Sequence, residues 1–328
     1  MIVLWGLRGD GPFDAVRAAL AKRRANVAFI DQRLLLETSV ELALEPEPRV
    51  TVALRGERFE LARARSVYFR TYDLRRLPAV LAATSTEGAI RAGTAIEQAL
   101  VSWLELSPAR VLNRPSNMAS NNSKPYQMEL LREHGFSVPR TLVTTDPDAV
   151  RDFWTECGSV IYKSVSGVRS VVARLSDAHA DRLEQVTICP TQFQQYVPGR
   201  DHRVHVVGDE VFASEVISEA DDYRYAARRG APPTLRACTL PLEVAERCIT
   251  LAHALGLPFA GIDLRRAPNG RWYCFEVNPS PGFTYYEAHT GQPIADAVAS
   301  YLDSAPAHRD PTRPPRAEPA SAPKLDLY

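Results

Sequence analysis

Two apolar runs in the last third of the chain, at 259–265 and 272–278, constrain its fold more than any other feature. Their apolar and aromatic side chains are typical of β-strands, and a Pro-Asn-Gly segment at 268–270 separates them. Asn-Gly between two such runs predicts a hairpin with a two-residue type I′ turn. Counting outward from that turn places Asp263 directly opposite Glu276.

The predicted hairpin brings three oxygen-bearing side chains to one face of a sheet. Asn278 lies two residues beyond Glu276, and residues two apart on a strand point to the same side. Two facing carboxylates repel each other, and burial strengthens the repulsion. A divalent cation removes this conflict, and a few carboxylates together with bound phosphate are the usual ligands of Mg²⁺. These residues therefore predict a magnesium site, and the alternative is that Asp263 and Glu276 pair separately with arginines such as Arg265.

Composition excludes several classes of protein. Apolar residues make up 45% of the 328 positions and charged residues 24%, as in ordinary globular proteins. Because 39 basic residues balance 39 acidic ones, no net field attracts nucleic acid or an anionic membrane. No apolar run approaches the roughly 18–20 residues that cross a bilayer, and the five cysteines include no Cys-x-x-Cys pair. We expect a cytoplasmic protein without disulfides, nucleic-acid partners or membrane partners.

The pattern of strands and helices changes near Pro139. Before it, strands such as 2–5 and 66–70 alternate with helical patterns, which is typical of an α/β domain. The loop with Gly6 and Gly9 lacks the G-x-G-x-x-G spacing, so this domain is expected to be a scaffold rather than a dinucleotide site. After Pro139, short strands and hairpins dominate, which predicts an α+β arrangement.

Two further segments carry groups suited to a nucleotide. Lys163 ends an apolar strand and leads into a Ser- and Gly-rich loop at 164–170, whose N–H and hydroxyl groups could meet phosphate oxygens. The strand and turn at 192–201 offer backbone for an adenine edge, and Asp201 could reach a ribose. An ordinary Ser/Gly turn and an ordinary strand are the alternatives. Arg203 follows, and an inward-facing arginine in a sheet usually has an anionic partner.

Taken in this order, the motifs resemble the ATP-grasp superfamily. The resemblance is to the branch that contains the ribosomal-protein glutamate ligases, the bacterial glutathione synthetases and the ligases that macrocyclise graspetides. It covers roughly residues 1–303 and is strongest from Asn113 onward. The motifs that carry it are Leu112-Asn-Arg-Pro115, Asn122-Ser-Lys124, Val160-Ile-Tyr-Lys163, Phe193-Gln-Gln-Tyr-Val197, Asp201-His-Arg203, Gly261-Ile-Asp263 and Phe275-Glu-Val-Asn-Pro279.

The resemblance implies an ATP-grasp fold, α/β overall and α+β in its C-terminal part. Residues 1–115 would form the pre-ATP-grasp α/β domain, and residues 116–190 the central subdomain that acts as a nucleotide lid. Residues 191–303 would form the C-terminal subdomain with the ATP and magnesium site. The Pro-rich tail at 304–328 is expected to be disordered because its composition buries little.

The resemblance also implies which residues contact ATP. These are Lys124, Lys163, Ser164, Ser166, Gly167, Ser170, Gln195, Val197 and Asp201. The two lysines would contact the phosphates, and the Ser/Gly loop would close over them. Backbone groups of Gln195 and Val197 would bind adenine, and Asp201 would bind the ribose.

Metal and catalytic roles follow from the same resemblance. Asp263, Glu276 and Asn278 would hold magnesium, expected as two ions with Mn²⁺ as an alternative. Arg203 and Arg265 would be the catalytic residues, facing the transferred phosphoryl group or the acyl phosphate.

The implied activity is that of an ATP-dependent ligase. A carboxylate would attack the γ-phosphate to give an acyl phosphate, and an amine or hydroxyl would displace phosphate to give an amide or ester. One alternative is a graspetide macrocyclase that recognises a precursor peptide through the stretch at 218–236. A ligase of small molecules is a second alternative, and an ATP-binding module without catalysis is a third. Family habit favours a homodimer.

Two arginines are candidate substrate contacts. Arg70 ends a strand of the first domain, and open α/β sheets bind ligands at the carboxyl ends of their strands. Arg169 adds charge to the Ser/Gly loop. The alternative for Arg70 is a structural arginine paired with Asp73 or a helix end.

Overall fold

The computed structural model describes residues 1–45, 48–165, 172–218 and 233–306. The strands in these ranges are β1 (Ile2–Gly6), β2 (Val27–Asp31), β3 (Thr38–Ala43), β4 (Arg49–Leu54), β5 (Glu57–Glu60), β6 (Ser66–Arg70), β7 (Arg110–Leu112), β8 (Thr141–Thr144), β9 (Val160–Ser164), β10 (Ala173–Arg174), β11 (Thr191–Gln195), β12 (Arg200–Val207), β13 (Glu210–Ile217), β14 (Thr234–Cys238), β15 (Phe259–Arg266) and β16 (Trp272–Asn278).

The helices are α1 (Gly11–Lys22), α2 (Pro78–Leu81), α3 (Thr86–Leu106), α4 (Lys124–Glu133), α5 (Pro147–Cys157), α6 (Leu242–Ala254), α7 (Thr284–Thr290) and α8 (Ile294–Asp303). Short 3₁₀ segments cover Gln32–Glu37, Leu61–Arg63, Leu74–Arg76, Ser116–Asn122 and Asp177–Ile188. The mixed α/β class expected from the sequence is confirmed. Across the described ranges, no helix is both long and apolar enough to cross a membrane.

The first domain is built on a parallel sheet with the order β2-β1-β6-β7. Helix α1 begins after Asp10, whose carboxylate accepts a hydrogen bond from the N–H of Phe13, and its apolar face packs on this sheet. Helix α8, from the far end of the chain, packs against α1 in the same core. The other face of the sheet is covered by α3 through Leu100, Trp103 and Leu104.

The central sheet is antiparallel and has the order β10-β9-β11-β8. One face packs on α5 and on the 3₁₀ segment at 177–188, with Tyr162 and Phe193 at its centre. The other face therefore carries the alternate residues, among them Lys163. Strand β11 pairs in this sheet, so the sheet extends to Gln195, beyond the subdomain boundary expected at 190.

The C-terminal sheet is antiparallel and has the order β14-β13-β12-β15-β16. Its apolar face, with Val204, Ile262 and Val277, packs on α4 and α6. Strand β14 begins inside the polar stretch at 218–236 and extends beyond it; residues 219–232 of that stretch are outside the described residues. At the C-terminal end Ala305 is buried, so the ordered chain continues past 303; residues 307–328 are also outside the described residues.

Candidate functional site

The hairpin of β15 and β16 pairs Asp263 with Glu276, as the sequence predicts, but through a different turn. The N–H of Gly270 donates to the carbonyl of Ala267, and the N–H of Ala267 donates to Arg271, each over 2.9 Å. Pro268 is thus a central turn residue, and its fixed negative φ fits a three-residue loop that closes on Gly270, whose φ is +83°. The predicted type I′ turn is wrong. A bulge after Asp263 leaves Phe275 without a cross-strand partner and restores the predicted pairing.

A row of polar side chains crosses the C-terminal sheet at this level. Arg203 on β12 is the direct neighbour of Asp263 on β15, which is in turn the neighbour of Glu276 on β16. Nη1 of Arg203 lies 2.7 Å from Oδ1 of Asp263, and the arginine side chain is buried. The anionic partner expected for Arg203 is therefore Asp263.

The donors at this row suit a magnesium ion. Asp263 keeps its second carboxylate oxygen, Glu276 presents a half-exposed carboxylate, and Oδ1 of Asn278 accepts a hydrogen bond from the N–H of Ser280 over 2.9 Å. These are the hard oxygen ligands that Mg²⁺ prefers. In the described part of the chain no three acidic, histidine or cysteine side chains cluster as a metal site. A magnesium ion at this row would be held by the two carboxylates together with the amide oxygen of Asn278.

Arg203 is held from three sides. A Cβ at position 261 would clash with Nη2 of Arg203 and with Pro281, so the Gly-Ile-Asp motif needs its glycine for steric reasons. Nε of Arg203 lies 3.4 Å from Nε2 of His205, which is fully buried. Burial, with a contribution from the charge of Arg203, holds the pKa of His205 well below its ordinary value. The neutral imidazole therefore supports the guanidinium without adding charge.

Arg265 and Asp201 form a bidentate ion pair. Nε and Nη2 of the arginine lie 2.6 and 2.9 Å from the two carboxylate oxygens. Nη1 also donates to the carbonyl of Val197 over 2.8 Å, while the N–H of Gln195 donates to Arg140. Among the described residues these bonds do not use the carbonyl of Gln195 or the N–H of Val197, the two groups implied for adenine. The residues implied for ribose and phosphoryl contact are thus bonded to each other.

The two candidate phosphate lysines lie on different elements. Lys124 is the first residue of α4, which begins after Ser123, and Lys163 lies on β9 directly opposite Gln192. Both lysines are half-buried, and Ser164 at the end of β9 is exposed. The candidate loop residues Ser166, Gly167, Arg169 and Ser170 lie outside the described residues.

Two buried amides, whose contacts were not predicted from the sequence, hold β16 from outside the sheet. Because β16 carries the metal candidates Glu276 and Asn278, we call it the metal strand. Nε2 of Gln127 donates to the carbonyl of Val277 over 2.8 Å, and the N–H of Val277 donates back to Oε1 over 3.0 Å. Asn113 donates to the carbonyls of Phe259 and Pro279, each over 2.6 Å. Asn113 belongs to the Leu112-Asn-Arg-Pro115 motif, but neither that motif nor the sequence around Gln127 identifies the partner of the amide.

Gln127 connects the two halves of the candidate site. It follows Lys124 by three residues and so shares its helix face, while Val277 lies between Glu276 and Asn278. The reciprocal amide clamp therefore sets the distance between the lysine and the metal strand.

We expect Gln127→Leu to lower turnover on the order of tenfold, because small displacements of catalytic groups have large effects on rate. It also leaves two buried main-chain groups of Val277 unpaired, which costs about 1–3 kcal/mol each in unfolding free energy. Initial rates across a Mg²⁺ titration and a thermal melt measure the two effects. A lower melting temperature with wild-type turnover would mean that the clamp only stabilises the fold.

Known proteins share this architecture. The RimK-like ATP-grasp domain family matches residues 120–302. A probable alpha-L-glutamate ligase of Sodalis glossinidius (strain morsitans) is 30% identical over 224 residues, which cover 64% of this chain and 74% of that protein.

Two solved structures resemble the whole described chain. The ATP-grasp ligase PsnB, in complex with a phosphomimetic variant of its minimal precursor, Mg and ADP, has a TM-score of 0.75 and 29% identity, covering 92% of this chain and 97% of that one. A Chryseobacterium gregarium RiPP-associated ATP-grasp ligase, in complex with ADP and a leader and core peptide, has a TM-score of 0.77 at 22% identity, covering 93% and 97%; this likeness concerns the fold alone.

The matches confirm the resemblance drawn from the motifs, the ATP-grasp fold and the ligase class. The matched range, residues 120–302, contains every metal, nucleotide and arginine candidate named above except Arg70. The chain therefore belongs to the RimK-like ATP-grasp family and is an ATP-grasp ligase.

Proposed function

We propose that this ligase uses ATP and Mg²⁺ to activate a carboxylate as an acyl phosphate, which an amine or hydroxyl then attacks to release phosphate. The observation that carries the proposal is the row Arg203–Asp263–Glu276 with Asn278 beside it. When bound, Mg²⁺ neutralises charge on the phosphate oxygens. We propose two ions, with Mn²⁺ as a substitute, held by Asp263, Glu276 and Asn278.

The protein's own residues supply the remaining electrostatics. Arg203 lies beside Asp263, so its guanidinium can neutralise charge that develops on the transferred phosphoryl group. Lys124 and Lys163 are proposed to hold the ATP phosphates. Arg265 is proposed to face the transferred phosphoryl group or the acyl phosphate while its ion pair holds Asp201 toward the ribose. No described side chain is required as a base in this scheme, because positioning and charge neutralisation dominate phosphoryl transfer.

A peptide is the substrate we favour. PsnB, at 29% identity over nearly its whole length, is described in complex with precursor peptides, which supports a peptide carboxylate and amine in this chain. The likeness to glutamate ligases supports a second candidate, the joining of an amino acid to an acceptor. Since ATP is the proposed co-substrate, we also propose a cytoplasmic setting, and a homodimer that light scattering can test.

An ADP-release screen on the purified chain tests the function. The protein is incubated with ATP and Mg²⁺ and with one of two substrate sets: short peptides encoded beside the gene, or free glutamate with amine acceptors. The masses of the products are measured by mass spectrometry. Macrocyclisation removes one water per linkage, whereas amino-acid addition increases the mass. ATP binding without ADP release on any substrate would favour the non-catalytic module instead.

Arg70 remains a proposed substrate contact, and the structure adds protein partners to it. Its Nε lies 2.6 Å from Oδ2 of Asp10, and its Nη1 donates to Oγ of Ser280 over 2.8 Å. The acidic partner is thus Asp10 rather than Asp73. The contact places the guanidinium beside the segment that follows the metal strand.

We expect Arg70→Ala to raise the KM of the carboxylate substrate found in the screen about tenfold, with the Kd for ATP unchanged, because a charged hydrogen bond to substrate is lost. Steady-state kinetics and calorimetry measure the two constants. Asp10→Asn is the matched control, since it removes the charge of the same ion pair but keeps both the guanidinium and a cap for α1. If both variants lose stability equally and neither changes KM, Arg70 is part of the scaffold.

A further inference from the structure

Two buried glutamines lie on the face of the central sheet that carries Lys163. Gln192 has 0% of its surface exposed and Gln194 has 1%. They are two residues apart on β11, so both side chains point to the same side of the sheet. Gln192 is the direct cross-strand neighbour of Lys163, and Phe193 between them points into the core on the opposite face.

The hydrogen-bonding capacity of these amides is largely unused. Neither the oxygen nor the nitrogen of the Gln192 amide has a partner among the described residues. Nε2 of Gln194 donates to Oγ1 of Thr141 over 3.0 Å, while its Oε1 has no partner in the same ranges. Buried polar groups in folded proteins are nearly always hydrogen-bonded. The Gln192 amide is fully buried, lacks hydrogen-bond partners among the described residues and lies beside the proposed phosphate lysine Lys163. This combination points to a ligand that supplies the missing hydrogen bonds.

The chemistry of the missing partner follows from the neighbouring backbone. The carbonyl of Gln195 and the N–H of Val197 suit the N6 and N1 atoms of adenine, which leaves N7 and the second N6 hydrogen to be bound by other groups. A glutamine amide offers one acceptor and one donor at the spacing that meets N6 and N7 together. Guanine presents acceptors at both O6 and N7, so the amide oxygen would face another acceptor.

We propose that the Gln192 amide binds the N6–N7 edge of adenine and adds to the preference for ATP over GTP that the backbone groups of Gln195 and Val197 supply. Because both atoms of the amide are unpaired within the described ranges, the proposal holds whichever end of the amide carries the oxygen. The proposal rests on the proposed function, since it requires ATP at this face of the sheet.

Calorimetry on the full chain with Mg²⁺ tests the contact by comparing ATP, 7-deaza-ATP and GTP. In 7-deaza-ATP a C–H replaces N7, so the wild-type protein should bind it about tenfold more weakly than ATP, the effect of about one net hydrogen bond. Gln192→Leu should bind ATP about tenfold more weakly, bind ATP and 7-deaza-ATP equally, and lose about tenfold of the preference over GTP. The remaining preference comes from the carbonyl of Gln195 and the N–H of Val197. The melting temperature of Gln192→Leu should not fall, because leucine fills a similar volume and no existing bond is lost.

Gln185→Leu is the matched control. Gln185 is exposed on the 3₁₀ segment across the domain, where it accepts a hydrogen bond from Arg182, so this variant should keep the wild-type affinity ratios. Equal affinities of the wild-type protein for ATP and 7-deaza-ATP would overturn the proposal. So would a Gln192→Leu variant that still prefers ATP over 7-deaza-ATP as strongly as the wild-type protein does. If the wild-type protein binds no ATP at all, the proposed function fails as well, so the two failures are distinguishable.

Discussion

Glu276→Gln is expected to reduce turnover by at least about 10²-fold while the protein stays folded. The amide keeps the shape of the side chain but removes the charge that a metal ligand at this position supplies, and such losses reduce activity by this order. Little stability should be lost, because the carboxylate is half-exposed and its cross-strand neighbour Asp263 carries the same charge. ADP release across a Mg²⁺ titration, with a thermal melt, measures both effects.

The matched control is Glu210→Gln, an exposed glutamate that begins β13 in the same sheet. It should leave turnover and metal dependence unchanged. Asn278→Ala should reduce turnover in the same direction, since it removes an oxygen donor together with the bond to Ser280. Near-normal magnesium-dependent activity in Glu276→Gln would reject the metal assignment.

Arg203→Lys is expected to lower kcat by about 10²-fold and to change the Kd for ATP far less. An ammonium keeps the positive charge but has no planar fork, so it cannot contact Asp263 and His205 together as the guanidinium does. Charge on the transferred phosphoryl group would then be neutralised less well in the transition state. Single-turnover kinetics separate the chemical step from nucleotide binding.

Arg200→Lys serves as its control, because Arg200 lies on the same strand and pairs with Glu215 at an exposed position. An ion pair at an exposed position contributes little to the free energy of unfolding, so Arg200→Lys should leave both kcat and stability unchanged. A wild-type kcat in Arg203→Lys would show that the arginine only balances the charge of Asp263.

The sequence predicted which residues form the row Arg203–Asp263–Glu276, but it did not predict the turn and bulge that align them. The pairing of Asp263 with Glu276 is confirmed, yet it depends on a bulge at Phe275 that offsets the error in the turn. Local turn propensities favoured Asn-Gly as the centre, whereas the fixed φ of Pro268 shifts the turn by one residue. The position of a bulge depends on packing against both faces of the sheet, and the apolar pattern of a strand's sequence carries no information about that packing.

The contacts that position the site were not predictable from the sequence for another reason. Gln127 meets Val277 across 150 residues of chain, and Arg70 meets Ser280 across 210. Each is a specific bond between groups whose sequence neighbourhoods resemble ordinary helix and strand positions. Similarly, only Thr38 of β3 is buried and β5 is mostly exposed, so the alternation of both was too weak to predict strands.

Helix α8 has a consequence for how the chain acquires its structure. It fills the core beside α1, and at its end the carbonyl of Leu302 accepts a hydrogen bond from Ser66 over 2.8 Å, while Arg65 pairs with Asp303. The part of this sheet's apolar face that α1 leaves open is thus covered only after α8 has been synthesised. During synthesis that face is open to chaperones and to other chains, so the first domain and the catalytic domain complete their folding together.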